Sequence, residues 1–174
     1  TEHIEINNYN DFNELLLWDT SKVVNMQFMF WGLINFNQSV NHFKVDNVQN
    51  MYCMFYGNRK FNKPLNFWNV SNVISMDYMF FENYDFNQSL NDWNTINLVN
   101  AQCMFNKAIS FNQPLDKWNV EKLTDCFEMF IRCRSFSQNL ENWKLDQYAI
   151  TNNMFLESKL EILNKLPSWY VFSK

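Results

Sequence analysis

"FNKPLNFWNVSNVISMDYMF", Phe61 to Phe80, closes on a Met-Phe pair that recurs at Met29-Phe30, Met54-Phe55, Met79-Phe80, Met104-Phe105, Met129-Phe130 and Met154-Phe155, always 25 residues apart. Stepping outward from the phrase by that interval aligns apolar columns. One runs Leu15, Val40, Leu65, Leu90, Leu115, Leu140, and another Trp18, Phe43, Trp68, Trp93, Trp118, Trp143. A third is Val23, Val48, Val73, Leu98, Leu123, Tyr148; a fourth is Phe36, Phe61, Phe86, Phe111, Phe136, which Phe12 joins at an offset of one residue. Self-similarity at a fixed period of this length means a repeat architecture, in which each unit buries its apolar face against its neighbours.

Two periodicities follow each other inside a unit. Trp68 and Val70 alternate with Asn69, which suits a short strand with one face inward. Val73, Met76, Met79 and Phe80 then fall at the spacing of an amphipathic helix, with Ser71 or Asn72 as its N-cap. The predicted fold class is therefore α/β: a short right-handed solenoid of six 25-residue strand-helix turns, with one parallel sheet along one side and helices along the other. With only two glycines in the chain, the loop asparagines at 37, 62, 87 and 112, followed by Ser137, are expected at left-handed turn positions. A single repeat domain fills 1–174, with an N-cap at 1–11, six repeats over 12–155 and a C-cap over 156–174. In the C-cap, Leu156, Leu160, Ile162 and Leu163 are expected on one side of a helix that stops near Pro167.

Composition excludes some functions. Fourteen basic against 18 acidic side chains leave a net charge of -4, with no cationic excess to displace counterions from a phosphate backbone, so nucleic acid is not an expected partner. No run approaches the ~20 apolar residues that span a bilayer, and "TEHIEINNYN" lacks the basic and apolar regions of a secretory signal. A soluble chain without membrane insertion is expected, intracellular rather than on a cell surface or virion. Cys53, Cys103, Cys126 and Cys133 form no C-x-x-C pair and have no histidine at metal-ligand spacing. Cys53 and Cys103 share a column two turns apart, roughly 10 Å, which is beyond disulfide reach. Four unlinked thiols follow, with Cys126 a small core hydrophobe where Met51 and Met76 stand in neighbouring copies.

The phrase at Phe61 to Phe80 and its copies resemble a repeat family first described as a domain of unknown function in mycoplasma surface proteins, often grouped with BspA-like leucine-rich-repeat proteins. The resemblance covers about residues 12 to 155. Leu65, Trp68 and Val70 match the L-x-x-L-x-L rhythm of leucine-rich repeats, but Val73 stands where those place a ladder asparagine, so a related coil rather than a standard horseshoe is implied. The resemblance also implies adhesion or protein-protein contact, on bacterial or protist surfaces or in large DNA viruses, and no catalytic activity.

The residues themselves point to no enzyme. His3 and His42 have no cysteine or carboxylate at nucleophile or metal spacing, so catalytic residues, metal and cofactor are all expected to be absent. The methionine column reads as core. Positions where the repetition fails are more informative. On the outward side of the expected strands, Leu17, His42, Phe67, Asp92, Lys117 and Asn142 form one varied column, beside Asn69, Asn94 and Asn119 of the next. That face is the leading candidate for binding a protein partner, with Phe67 as anchor. An alternative patch follows the expected helices at Trp31, Tyr56 and Phe81. The leading expectation is a non-enzymatic interaction or adhesion module; the alternative is a structural or virion-associated building block that self-associates.

Overall fold

The structure, a computed structural model, describes residues 16–170; the expected N-cap at 1–11, with Phe12 and Leu15, lies outside them. Successive 25-residue loops stack so that each residue lies beside its counterpart 25 positions on. The stack is held at the Met-Phe turns, residues 26–33 and their equivalents. Amides there alternate between two duties. The N–H groups of Met26, Phe28, Phe30 and Gly32 donate to the carbonyls of Asn50, Tyr52, Met54 and Tyr56 in the next loop, at 2.7 to 3.0 Å. Those of Met29, Trp31 and Leu33 donate three residues back, to Met26, Phe28 and Phe30. The same scheme recurs in the later turns, and single-residue parallel bridges join Asn25, Asn50, Ser75, Asn100, Asp125 and Ile150 in sequence.

This corrects the predicted right-handed α/β solenoid of strand-helix turns with one parallel sheet. Among the described residues the only helix is α1, Lys159–Ile162, and inter-loop pairing never extends beyond isolated bridges. An α-helix needs every amide to bond four residues back. Here Met76, Tyr78, Phe80 and Glu82 give their amides to the next loop instead, and the backbone is left-handed at Tyr78 (φ 57°) and Glu82 (φ 54°). Val73, Met76, Met79 and Phe80 are buried as a helical stripe would be, but a succession of three-back turns places them there. The expected strand dissolves for a similar reason. Trp68 N–H bonds Leu65 O, Val73 N–H bonds Val70 O, and Asn69 Oδ1 accepts Ser71 N–H, so tight turns produce the alternation.

The left-handed positions are also not the loop asparagines. Within the repeats they are the columns Phe28, Cys53, Tyr78, Cys103, Glu128, Asn153 and Gly32, Gly57, Glu82, Lys107, Arg132, Glu157, and Asn164 adds one more after α1. Asn37, Asn62, Asn87 and Asn112 make a ladder instead. Each side-chain Oδ1 accepts the backbone N–H of the residue one loop on, ending at Ser137, at 2.9 to 3.0 Å.

Stacked rings fill the core. Phe30, Phe55, Phe80, Phe105, Phe130 and Phe155 lie 5.4 to 5.7 Å apart in successive loops and within 11° of parallel. A second stack, Phe36 to Phe136, sits about 4.2 to 4.4 Å from the first. Trp68, Trp93, Trp118 and Trp143 form a third, and each indole N–H donates to a carbonyl 28 residues earlier, from Val40 O to Leu115 O. Met54, Met79, Met104, Met129 and Met154 are fully buried, as a core reading requires, while Met29 in the first turn is only partly buried. The column ends fray: Trp18 is half exposed and Tyr148 is 82% exposed.

At the C-terminal end the expected amphipathic helix is a single turn, capped by Ser158. Only Leu160 of its four named apolar residues is buried, while Leu156, Ile162 and Leu163 face solvent. Trp169 closes the stack in its place. Its indole N–H donates to Leu140 O at 2.8 Å, as the indoles of Trp68, Trp93, Trp118 and Trp143 donate to carbonyls of the preceding loop, and Ser168 binds Glu141 through both backbone and hydroxyl.

Candidate interaction surface

The first predicted set does lie at the surface, although no sheet face underlies it. Leu17 and Phe67 are each 78% exposed, two loops apart, with exposed His42 between them donating Nε2–H to Leu16 O at 2.6 Å. Asp92 and Lys117 are both exposed and pair with each other at 2.7 Å, which lifts the lysine above its ordinary value. Asn69, Asn94 and Asn119 have structural work: each Oδ1 accepts an amide two residues on, from Ser71, Ile96 and Glu121. Asp19 does the same for Ser21. This column therefore offers two isolated apolar side chains on a rim whose polar groups already have partners.

The alternative set is part of something larger. Around Trp31, Tyr56 and Phe81 the first three Met-Phe turns add Phe28, Tyr52 and Tyr78, and the six rings touch in one network. Phe28 meets Tyr52 edge-on at 5.2 Å and Trp31 at 6.5 Å; Tyr52 meets Tyr78 at 5.9 Å; Tyr56 and Phe81 stack at 4.6 Å, within 7° of parallel. Trp31 is 57% exposed and Phe28 49%, with the other four half-buried. These rings flank the buried residues of each turn, Phe30 in the first, Met54 and Phe55 in the second, Met79 and Phe80 in the third, and so remain at least partly exposed. The 25-residue column linked Trp31, Tyr56 and Phe81 but missed Phe28, Tyr52 and Tyr78; of these, Phe28 and Tyr78 occupy left-handed positions.

No charge interrupts the outward positions of the first two turns. From the third turn on, the column that begins Gly32, Gly57 continues with charged residues that neutralise one another. Glu82 sits 2.6 Å from Lys107 and 3.7 Å from Arg59, and Arg132 holds Glu157 with two bonds of 2.9 and 3.0 Å. The Lys107 ammonium lies 5.3 Å over the Phe81 ring.

Beneath the patch, burial pushes the Cys53 and Cys103 thiols up to about 11, and raises Cys126 and Cys133 further; all four are buried and unlinked. Asp77, among the aromatic turns, is raised by desolvation, and its two oxygens hold Ser75 Oγ and Gln102 N–H. The described residues contain no group of three or more histidine, cysteine or acidic side chains that could hold a metal, and no helix among them is long and apolar enough to cross a membrane.

Comparison with known proteins matches the chain to the family described as "Mycoplasma protein of unknown function, DUF285", over residues 4–102 and again over 63–169. No curated protein and no solved structure matches.

Proposed function

The chain belongs to the DUF285 family of Mycoplasma proteins of unknown function, and from that premise we propose that it is a non-enzymatic interaction module that docks a protein through the aromatic face of its first three Met-Phe turns. The observation that carries the reading is the six-ring network. Monomeric surfaces scatter single apolar side chains, whereas contiguous aromatic groups ringed by polar ones mark contact sites. Trp and Tyr are also the side chains that most often dominate binding energy. The predicted preference for the Leu17–Phe67 column is reversed, since its apolar residues stand alone. An adhesive role of the kind implied by likeness to BspA-type surface repeats fits this reading.

The test is capture from cell extract by immobilised wild type, Trp31→Ala and Phe67→Ala, read by quantitative mass spectrometry. A protein held by wild type and Phe67→Ala and lost at least about tenfold with Trp31→Ala supports the aromatic face. Loss with Phe67→Ala alone moves the site to the other column, and equal capture by wild type and both variants overturns the reading.

A further inference from the structure

In the later loops Tyr84, Ile109 and Arg134 form one row at the 25-residue step, and Lys107, Arg132 and Glu157, each at a left-handed position, form another. Together these six side chains line a surface cleft of about 320 Å³. Its charge runs against that of the molecule: Lys107, Arg132 and Arg134 stand against Glu157 alone, on a chain with a net charge of -4.

The carboxylates nearby are already committed. Glu82 holds Lys107 at 2.6 Å and Arg59 at 3.7 Å, and both oxygens of Glu157 are taken by Arg132, at 2.9 and 3.0 Å. Arg134 is left over. It is the counterpart, three loops on, of Arg59, whose guanidinium lies 5.2 Å over the Tyr84 ring and beside Glu82. At Arg134 the position of that ring is filled by Lys159, and the position of that carboxylate by Glu157, which Arg132 occupies. Among the described residues the exposed Arg134 side chain makes no ion pair. An unpaired arginine on an open surface is ordinary and solvated. This one lines a cleft together with two further cations, the Tyr84 ring and the exposed Ile109.

A planar guanidinium takes a carboxylate through two parallel bonds. From this arrangement we infer that the cleft binds an acidic peptide segment, with a glutamate or aspartate carboxylate on Arg134 and a neighbouring apolar side chain against Ile109 and Tyr84. Lys107 and Arg132 add to the cationic field that draws it in. A free inorganic anion leaves the apolar side chains uncovered, and a nucleic acid meets the field of a molecule that is anionic overall. The Lys107 ammonium lies 5.3 Å over the Phe81 ring, so the cleft adjoins the aromatic network, but the inference does not depend on that network being a docking face.

Titration of the chain with a short end-blocked peptide of alternating glutamate and leucine, followed by amide NMR shifts, tests it. Shifts that saturate below about 5 mM peptide are expected at Lys107 to Ile109 and at Arg132 to Arg134. Affinity should fall at least about tenfold with Arg134→Gln and with glutamine in place of the peptide's glutamates, and stay unchanged with Lys117→Gln, which removes an equal charge elsewhere on the surface. A wild type without saturable shifts, or equal binding by Arg134→Gln or of the glutamine peptide, overturns the inference. Inorganic phosphate that reproduces the shifts at equal concentration assigns the cleft to a free anion and overturns the peptide. Trp31→Ala should bind the peptide as wild type does; a loss there places the peptide on the aromatic network and overturns the cleft, whereas the network's own docking role is judged by the capture experiment.

Discussion

A side chain in the left-handed region costs roughly 1 to 2 kcal/mol, because its Cβ crowds the following carbonyl. This chain accepts that cost in every Met-Phe turn, and only Gly32 and Gly57 avoid it. Since a Cβ at Gly57 has room, Gly57→Ala isolates the backbone term. Urea unfolding should show a loss of about 1 kcal/mol, and a loss above about 3 kcal/mol would mean that the added methyl meets packing the structure does not show. The thiols beneath the turns give a second expectation at this scale. Cys53 and Cys103 hold their protons up to about 11 in the fold, against 9.0 for the free group. The stabilisation linked to that difference is therefore complete below about pH 9 and is lost as pH rises toward 11, where the unfolded chain ionises first. Melting curves from pH 8 to 11 should fall less steeply for Cys53→Ala than for wild type, and identical slopes would remove the thiols as the cause. All four thiols should also titrate after denaturation without reductant.

At the scale of the loop, the asparagine ladder is the element that local rules misread. Asn87 Oδ1 accepts both Asn112 N–H and Gln113 Nε2–H, at 3.0 Å each. Asn87→Ala leaves that amide without its acceptor and should cost about 1 to 2 kcal/mol; Asn87→Asp keeps an acceptor and should cost less. Equal losses for the two would show that the ladder contributes through something other than acceptance. The ladder also shows what the sequence could reveal. Asn in a Gly-poor loop reads as a turn residue by propensity, because propensity knows nothing of a neighbour 25 residues away. The period, the columns and their burial were legible, since Leu65, Trp68, Val73, Met79 and Phe80 face inward whichever backbone carries them. The backbone was not, because three-back turns and a helix place apolar residues at nearly the same spacing. One signal could have separated them. Gly32 and Gly57, one period apart and directly after Trp31 and Tyr56, point to a left-handed position inside each supposed helix.

In the whole molecule, each loop touches only its neighbours, so stability is approximately a sum of loop terms and junction terms, and the position of a lesion matters as much as its chemistry. Trp93 and Trp169 test this because they make equivalent bonds at different heights in the stack: Trp93 Nε1 to Leu65 O at 3.1 Å in the middle, and Trp169 Nε1 to Leu140 O at 2.8 Å at the end. Trp93→Ala deletes a buried indole between two stacked neighbours and should cost about 3 to 5 kcal/mol, loosening loops on both sides. Trp169→Ala removes a half-buried ring that covers Phe155 from one side only, and about 1 to 2 kcal/mol is expected. Hydrogen exchange distinguishes the two more sharply than melting does. With Trp169→Ala, protection should fall first at the amides of Cys126, Phe130 and Arg132, which donate to the last loop, while those of Met51, Phe55 and Gly57 keep their wild-type rates. With Trp93→Ala, the amides of Met76, Phe80 and Glu82 should lose protection along with those of the loops next to them. If Trp169→Ala accelerates exchange uniformly from Met51 to Arg132, the loops unfold as one cooperative unit, and the nearest-neighbour account of this stack fails.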